Sequence, residues 1–555
     1  MEKINIIGAG LAGLSAAITL AEGGYESNLI SLQYSERAQS VLAEGGINAA
    51  LDTMGEGDTV NEHYEDTMKG GGMLANPVAV RRLTKNAPDT VLWLKSLGVP
   101  FYQENGTIIL RNFGGQKKKR TAYAKSSTGK VIMNALIDGA RKYEKKGLIR
   151  RYPHHEFIKL LLSKPADGQK ICRGVQIKDR YSDSILKLYG IVILASGGMN
   201  GVFPGMTTGT TQNSGEVTAT IFAQGVALSN LEMLQYHPTT IGISGKRCLV
   251  TEAARGEGGR LYVVRNGRPW YFMEEKYPVL KNLMPRDIVS REMYLTVRKK
   301  ECEQQVYLDM TGLKDKVWEH KLSDLRNEIL YYRKLDPKNT PIPVEPGIHY
   351  FMGGIHTDEY HRTNIDGVYA AGECTSLYHG ANRLGGNSML GAVYGGKTAA
   401  MHIMKNAEEK GHDFAEKTKE ESMESYRAES MESLGEESME APAEASEEFV
   451  SALGNILYDG LGIVRNEGRL KFAMGKVSQL EAACHNDREK NRILLAKAML
   501  NSAIIRKESR GAHYREDYPD RQDEYYRKIT LARYEEQQLE VDFVQIQGDP
   551  GISSE

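Results

Sequence analysis

Five stretches of this chain carry residue types that could do chemistry on a small anion. The first is Gln235-Tyr236-His237-Pro238, followed by Thr251-Glu252-Ala253-Ala254-Arg255-Gly256-Glu257-Gly258-Gly259. Then come Pro285-Arg286-Asp287 and Pro346-Gly347-Ile348-His349. The fourth is the loop from His379 to Ser388, with Arg383 in its middle, and the fifth is Asn112-Phe113-Gly114-Gly115. Two histidines and two arginines suit the ends of a four-carbon dicarboxylate. Each end can receive charge-assisted hydrogen bonds, bidentate where arginine supplies them. Taken singly, each stretch has a plainer reading: a His-Pro is more often a satisfied histidine, and Arg286-Asp287 a surface pair.

Such residues need elements to hold them. Residues 3–8 read as a short buried strand, the stretch from Leu11 to Glu22 as a helix, and Ser27 to Leu32 as a second strand. The turn between the first strand and the helix is Gly8-Ala9-Gly10-Leu11-Ala12-Gly13. Strand, glycine turn and helix in that order predict a dinucleotide site with its pyrophosphate at the helix N-terminus. The acidic ribose ligand expected after the second strand is missing, and Ser31 stands in its place. Ile191 to Gly198 reads as a later strand and turn of the same sheet, which resumes at Gly367 to Ala371 and enters a Gly372-Glu373 turn. Between them, residues 236–345 break the rhythm with mixed Trp, Tyr, Pro and charge. At 406–448 the composition shifts to Glu, Ser, Met and Ala, with an eight-residue repeat at 421–440, which predicts a solvated helix or mobile insertion. Leu461 to Arg506 has helical periodicity.

The chain of 555 residues exceeds one comfortable core. Its net charge of −1 gives no reason to expect a nucleic-acid partner. Five scattered cysteines without a C-x-x-C pair argue against a disulfide framework, a zinc site or an iron–sulfur cluster on this chain. No apolar run approaches the roughly 20 residues that cross a bilayer, and a strand beginning at Ile4 leaves no room for a signal peptide. A cytoplasmic location is expected.

The glycine turn at 8–13, the Gly367 to Glu373 strand and turn, and the Arg383 loop together resemble the flavoprotein subunit family of succinate dehydrogenase and fumarate reductase. The resemblance covers residues 4–400, with a weaker match at 508–517. Four such stretches follow the family's order and spacing, which the plainer readings do not explain. The implied fold is α/β: a Rossmann-like FAD-binding domain (1–235 and 346–405), an inserted α+β capping domain (236–345), an acidic insertion (406–448), and a C-terminal helical domain and tail (449–555). By the same resemblance, His237, Thr251, His349, Arg383 and Phe113 bind a dicarboxylate. Arg286 is the proton donor, and Glu252 and Arg255 reload it. Gly8, Ala9, Gly10, Gly13, Ser31, Ser40, Gly45, Gly46, Glu216, Glu373, Ser388 and Leu390 hold FAD. The implied activity is fumarate–succinate interconversion, with electrons delivered by an iron–sulfur subunit. Such a partner would hold the chain at the inner face of a membrane, with no direct insertion.

Two departures from the family bear on direction and substrate. Membrane-complex relatives carry a histidine joined to the flavin where this chain has Gln39, so FAD is expected to be non-covalent. Loss of that bond, which in the family raises flavin potential, tilts the expectation toward fumarate reduction. The alternative is that Gln39 merely packs near the ring and the partner sets direction. L-aspartate oxidases resemble the chain throughout but carry a glutamate where Phe113 stands, and a phenylalanine leaves a substrate ammonium unpaired. That branch, reduction of another enoate, and a non-catalytic flavin-binding role are the competing readings. The run Lys117 to Arg120 reads as a solvated face, or more weakly as a dock for an acidic electron donor.

Overall fold

The computed structural model describes residues 3–124, 127–163, 170–243, 245–414 and 441–548. The repeat at 421–440 lies outside the described residues.

Strand Ile4–Ile7 is the centre of a five-stranded parallel sheet, in the order Val368–Ala370, Ile191–Leu194, Ile4–Ile7, Ser27–Ser31, Ile149–Pro153. All four residues of the central strand are buried, because both faces of the sheet are covered. The period-two alternation divides them. Ile4 and Ile6 pack with helix Leu11–Glu22 in one core, and Ile7 packs with Val192 and Leu194 in another. Asn5 is satisfied between them: its Oδ1 accepts from Asn28 at 2.8 Å, and its amide donates to the Leu188 and Tyr189 carbonyls.

A second, antiparallel sheet of six strands runs Lys246–Leu249, Leu234–Ile243, Ile342–Phe351, Cys302–Asp309, Arg260–Arg265, Arg268–Trp270. It closes over a core of its own that includes Val263, Phe272 and Trp318. Leu234–Ile243 and Ile342–Phe351 lead into and out of the segment 236–345. They pair with each other, Leu234 opposite Phe351 and His237 opposite Gly347. The register slips between His237 and Thr240, where Pro238 has no N–H to give the ladder.

Helix Asn387–Phe414 packs against Leu11–Glu22. It runs past the expected boundary at 405, since Met401 to Lys410 contain good helix formers and no Gly or Pro. Helices Glu447–Gly460, Glu467–Glu481 and Asp487–Ile505 follow. Each is started by a side-chain cap, from Ser446, Asn466 and Asn486 respectively. Beyond them the expected tail returns as the hairpin Ile529–Glu535/Gln538–Val544, which pairs with Leu228–Ser229.

The basic run is not one solvated face. Lys117 and Lys119 are exposed. Arg120 is fully buried, pairing with Asp58 at 2.8 Å and Asp66 at 3.0 Å.

Candidate active site

A cavity of about 850 Å³ opens where the C-terminal ends of the parallel strands face the antiparallel sheet. Gly8, Ala9 and Gly10 line it. A Cβ on Gly8, whose φ is +115°, would lie 2.1 Å from the Ala195 carbonyl oxygen, so only glycine makes this turn. Gly13 lies outside the cavity lining; a Cβ there would sit 1.9 Å from the Gly8 carbonyl oxygen, so its absence lets helix and strand close up. Helix Leu11–Glu22 has no side-chain cap and no acidic residue in its first turn. The N–H dipoles of its first turn favour an anion. Ser40 is beside this turn, its Oγ accepting from the Leu11 N–H at 3.3 Å.

Ser31, Gly45, Gly46, Ser388 and Glu373 also line the cavity. The Ser31 hydroxyl donates to the Gln33 carbonyl at 2.7 Å, which leaves its oxygen as an acceptor. Burial pushes the Glu373 carboxyl up to about 7, against the opposing pull of the Phe351 N–H, which donates to it at 3.2 Å, and of Arg383. Glu216 reaches the wall, but its carboxylate accepts from Arg492 of the last long helix at 2.9 Å. Leu390 is not at the cavity: it is fully buried in the core behind Ser388. Gln39 is at the wall, its Oε1 accepting from the Thr210 N–H at 2.6 Å.

The other end of the cavity is built on the paired strands. His237 and His349 stand on them with ring centres 5.1 Å apart. His349 Nδ1 meets the Thr208 hydroxyl at 2.7 Å, and His237 Nδ1 meets the Thr239 N–H at 3.3 Å. His237 Nε2 is buried without a hydrogen-bond partner. Burial, reinforced by Arg286, holds both imidazoles far below the usual histidine range. They are neutral, and the cations of the expected grip are the arginines. Arg383 donates to Ser388 Oγ at 2.9 Å and lies over the Tyr350 ring at 4.3 Å. Burial and the nearby Arg286 lower it to about 9. Thr251 and Phe113 complete this end.

Arg286 enters the cavity from the first turn of helix Arg286–Thr296. It donates to Glu252 Oε2 through Nε at 2.9 Å and Nη2 at 2.6 Å. Burial alone would raise the Glu252 carboxyl, yet Arg286 and Arg255 hold it below the ordinary value, so it is ionised. The other Glu252 oxygen accepts from the Gly114 N–H at 3.1 Å, which ties Phe113 and its turn to the same group. Arg255 lies behind, away from the cavity, with Nη2 at 3.7 Å from Glu252 Oε1. The fully buried series Arg255, Glu252 and the nearly buried Arg286 alternates in charge and points one N–H face at the cavity.

Three participants stood in or beside the sequence motifs without a role. Gln235 accepts from Arg286 Nη1 at 3.2 Å and donates to Asn382 Oδ1 at 2.7 Å and to the Arg383 carbonyl at 2.8 Å. It therefore couples the two arginines. Arg111 lines the cavity, donates to the Glu44 and Gly45 carbonyls, and lies over the Tyr123 ring at 4.4 Å. Glu44, also at the wall, is raised to about 8 by burial and by Glu328. Position beside Phe113 or Gly45 was the only signal for the last two.

A glycine-lined dinucleotide cradle that opens onto a buried arginine–carboxylate cluster is the site of an FAD-dependent oxidoreductase. A family profile described as FAD binding domain matches residues 4–389, and one described as fumarate reductase flavoprotein C-term matches 487–550. The chain is similar to the succinate dehydrogenase flavoprotein subunit of Bacillus subtilis, with 34% identity over 96% of this chain and 94% of the relative. It is also 34% identical to a fumarate reductase (CoM/CoB) subunit of Methanothermobacter marburgensis, over 96% of this chain and 97% of the relative. Among solved structures, an E. coli quinol fumarate reductase superposes with a TM-score of 0.84 at 28% identity, covering 99% of this chain and 98% of that one. The chain belongs to the succinate dehydrogenase/fumarate reductase flavoprotein family. FAD is its cofactor, and the cradle fits it: a close backbone approach at Gly8, a helix N-terminus with no acidic residue in its first turn for the pyrophosphate, and a buried carboxyl at Glu373. Among the described residues no helix is long and apolar enough to cross a membrane.

Proposed function

We propose that this chain is the flavoprotein subunit of a fumarate reductase, with FAD held non-covalently. The observation that carries the reading is Arg286, bound through two N–H groups to an ionised Glu252 at 2.6 Å and 2.9 Å and facing a cavity end with Arg383 and two neutral histidines. Reduced FAD, when bound, supplies a hydride. The residues supply the rest. Arg383 and Thr251 take carboxylate oxygens of the substrate, and the neutral imidazoles of His237 and His349 add N–H donors at the other end. This grip withdraws charge from the alkene and orients one of its carbons toward Arg286. Arg286 gives its proton to that carbon. An arginine is a weak acid, but a carbanion-like carbon in a closed site is a strong base, and Glu252 and Arg255 stand behind to restore the proton.

Phe113 at the cavity wall, where an amino-acid substrate would need a carboxylate, speaks against the aspartate-oxidase reading. Gln39 cannot bond covalently to the flavin, which supports reduction over oxidation. Since no cluster cysteines are spaced for ligation in the sequence, we take the electron donor to be an iron–sulfur subunit. The test is direct: reduce the bound FAD chemically under argon and follow its reoxidation by fumarate, crotonate and iminoaspartate. Fast reoxidation by fumarate alone is expected. Preference for crotonate would move the assignment to another enoate, and preference for iminoaspartate to the amino-acid branch.

A further inference from the structure

Arg255 is the last member of the relay that sequence motifs reach, and something must hold it. Its guanidinium is completely buried, and its Nε and Nη2 have no hydrogen-bond partner among the described residues. Nη1 alone is fixed, donating to the main-chain carbonyl of Asn282 at 2.6 Å. Asn282 is itself pinned twice through its side chain: Oδ1 accepts from the Leu261 N–H at 3.0 Å, and Nδ2 donates to Glu274 Oε1 at 3.2 Å. Glu274 is clamped in turn by Arg260, whose Nε and Nη2 donate to its two oxygens at 2.7 Å and 2.8 Å. The side chains of this last pair reach solvent, 24% exposed for Glu274 and 45% for Arg260. A continuous series thus runs from the surface to the cavity: Arg260, Glu274, Asn282, Arg255, Glu252, Arg286.

We propose that Glu274, acting through Asn282, is a positioning residue for the proton relay. It sets the Asn282 carbonyl that holds Arg255 toward Glu252. The inference rests on the function proposed above and extends it outward from the cavity. In each turnover the alkene gains a hydride from the reduced cofactor and a proton from Arg286. Arg286 then regains that proton through Glu252 and Arg255, so one solvent proton is consumed. A mis-set Arg255 slows the return of the proton without touching the substrate grip or the FAD cradle. An ion pair that reaches solvent, as Arg260–Glu274 does, contributes modestly to folding, so its loss leaves the fold intact while releasing one of the two anchors of Asn282.

The full chain loaded with FAD is assayed for fumarate reduction with reduced methyl viologen, comparing wild type with Glu274→Gln, Glu274→Asp and Asn282→Ala. Glu275→Gln serves as the neighbouring control. In Glu274→Gln and Asn282→Ala, kcat is expected to fall about tenfold, less than the roughly 100- to 10,000-fold that a group transferring the proton itself contributes. KM for fumarate and flavin content should stay at wild-type values, the solvent deuterium isotope effect on kcat should rise, and Glu274→Asp should recover part of the rate. Unchanged kcat and isotope effect in both variants would overturn the inference and leave the function standing. Loss of flavin or a raised KM alongside the rate would also overturn it, by showing a general structural role. A wild type that does not turn over fumarate overturns the functional reading, and this inference with it.

Discussion

At the scale of single residues, the site depends on where a few charges are held. Arg286→Lys keeps the positive charge but not the fork that grips Glu252 with two N–H groups. A shift of about 1 Å can cost on the order of 100-fold in rate. We expect kcat to fall by about that factor while FAD content and dicarboxylate binding persist, measured by turnover beside equilibrium dialysis of succinate. Retained kcat with lost affinity would make Arg286 a binding residue only. Glu373 gives a pH test. Burial lifts its carboxyl to about 7, so below that pH the empty site holds it protonated. If the carboxylate is the form that accepts from the ribityl hydroxyls, FAD binding releases a proton there. Affinity should then weaken as pH falls from 8 to 6, by at most about tenfold per unit, and fluorescence titration of FAD into apoprotein reads this. Glu373→Gln should remove the pH dependence, and a wild type whose affinity is flat over the range would contradict the assignment.

Among elements, those announced by backbone needs were readable in the sequence. Gly8 was legible because a turn in which a Cβ would lie 2.1 Å from a carbonyl oxygen leaves no choice of residue. The paired strands were legible only in part: His237 and His349 were picked out by their motifs, but their antiparallel register, over 100 residues of intervening chain, was not. Arg120 shows why a local charge pattern misleads, since its partners Asp58 and Asp66 lie more than 50 residues earlier. Gln235, Asn282 and Glu274 share that property: each works through contacts that no spacing rule encodes. The Arg383 loop offers a prediction at this level. Gly386 has φ +84°, and a Cβ there would lie 2.1 Å from Asn48 Oδ1, part of a buried set in which Asn48 donates to the Gly385 carbonyl and to Asn387. Gly386→Ala should cost about 1–3 kcal/mol and lower the melting temperature. An unchanged thermal midpoint would show that the loop can move without cost.

At the scale of the whole molecule, the cradle draws on residues near 8, 40, 213 and 373 at once, and no covalent bond to the flavin is expected because Gln39 stands where the attaching histidine would be. Acid precipitation should therefore release all of the yellow colour into the supernatant; colour left with the pellet would mean a covalent link elsewhere. A ligand that binds only the folded chain stabilises it by mass action. Excess FAD should accordingly raise the melting temperature in a concentration-dependent way, as a covalent flavin would not.

The parallel sheet also sets a clock for biosynthesis. Its central strand, Ile4–Ile7, is made well before its edge strand Val368–Ala370 and the Glu373 turn, which come about 360 residues later. At a synthesis rate of roughly 5–20 residues per second, the N-terminal glycine turn waits on the order of 20–70 s for the rest of its sheet. During that wait Ile4, Ile6 and Ile7 have only part of their cover. Cofactor capture is consequently a late event, after the ribosome has passed residue 373. Nascent chains arrested before that point should retain no flavin, and chains arrested well beyond it should.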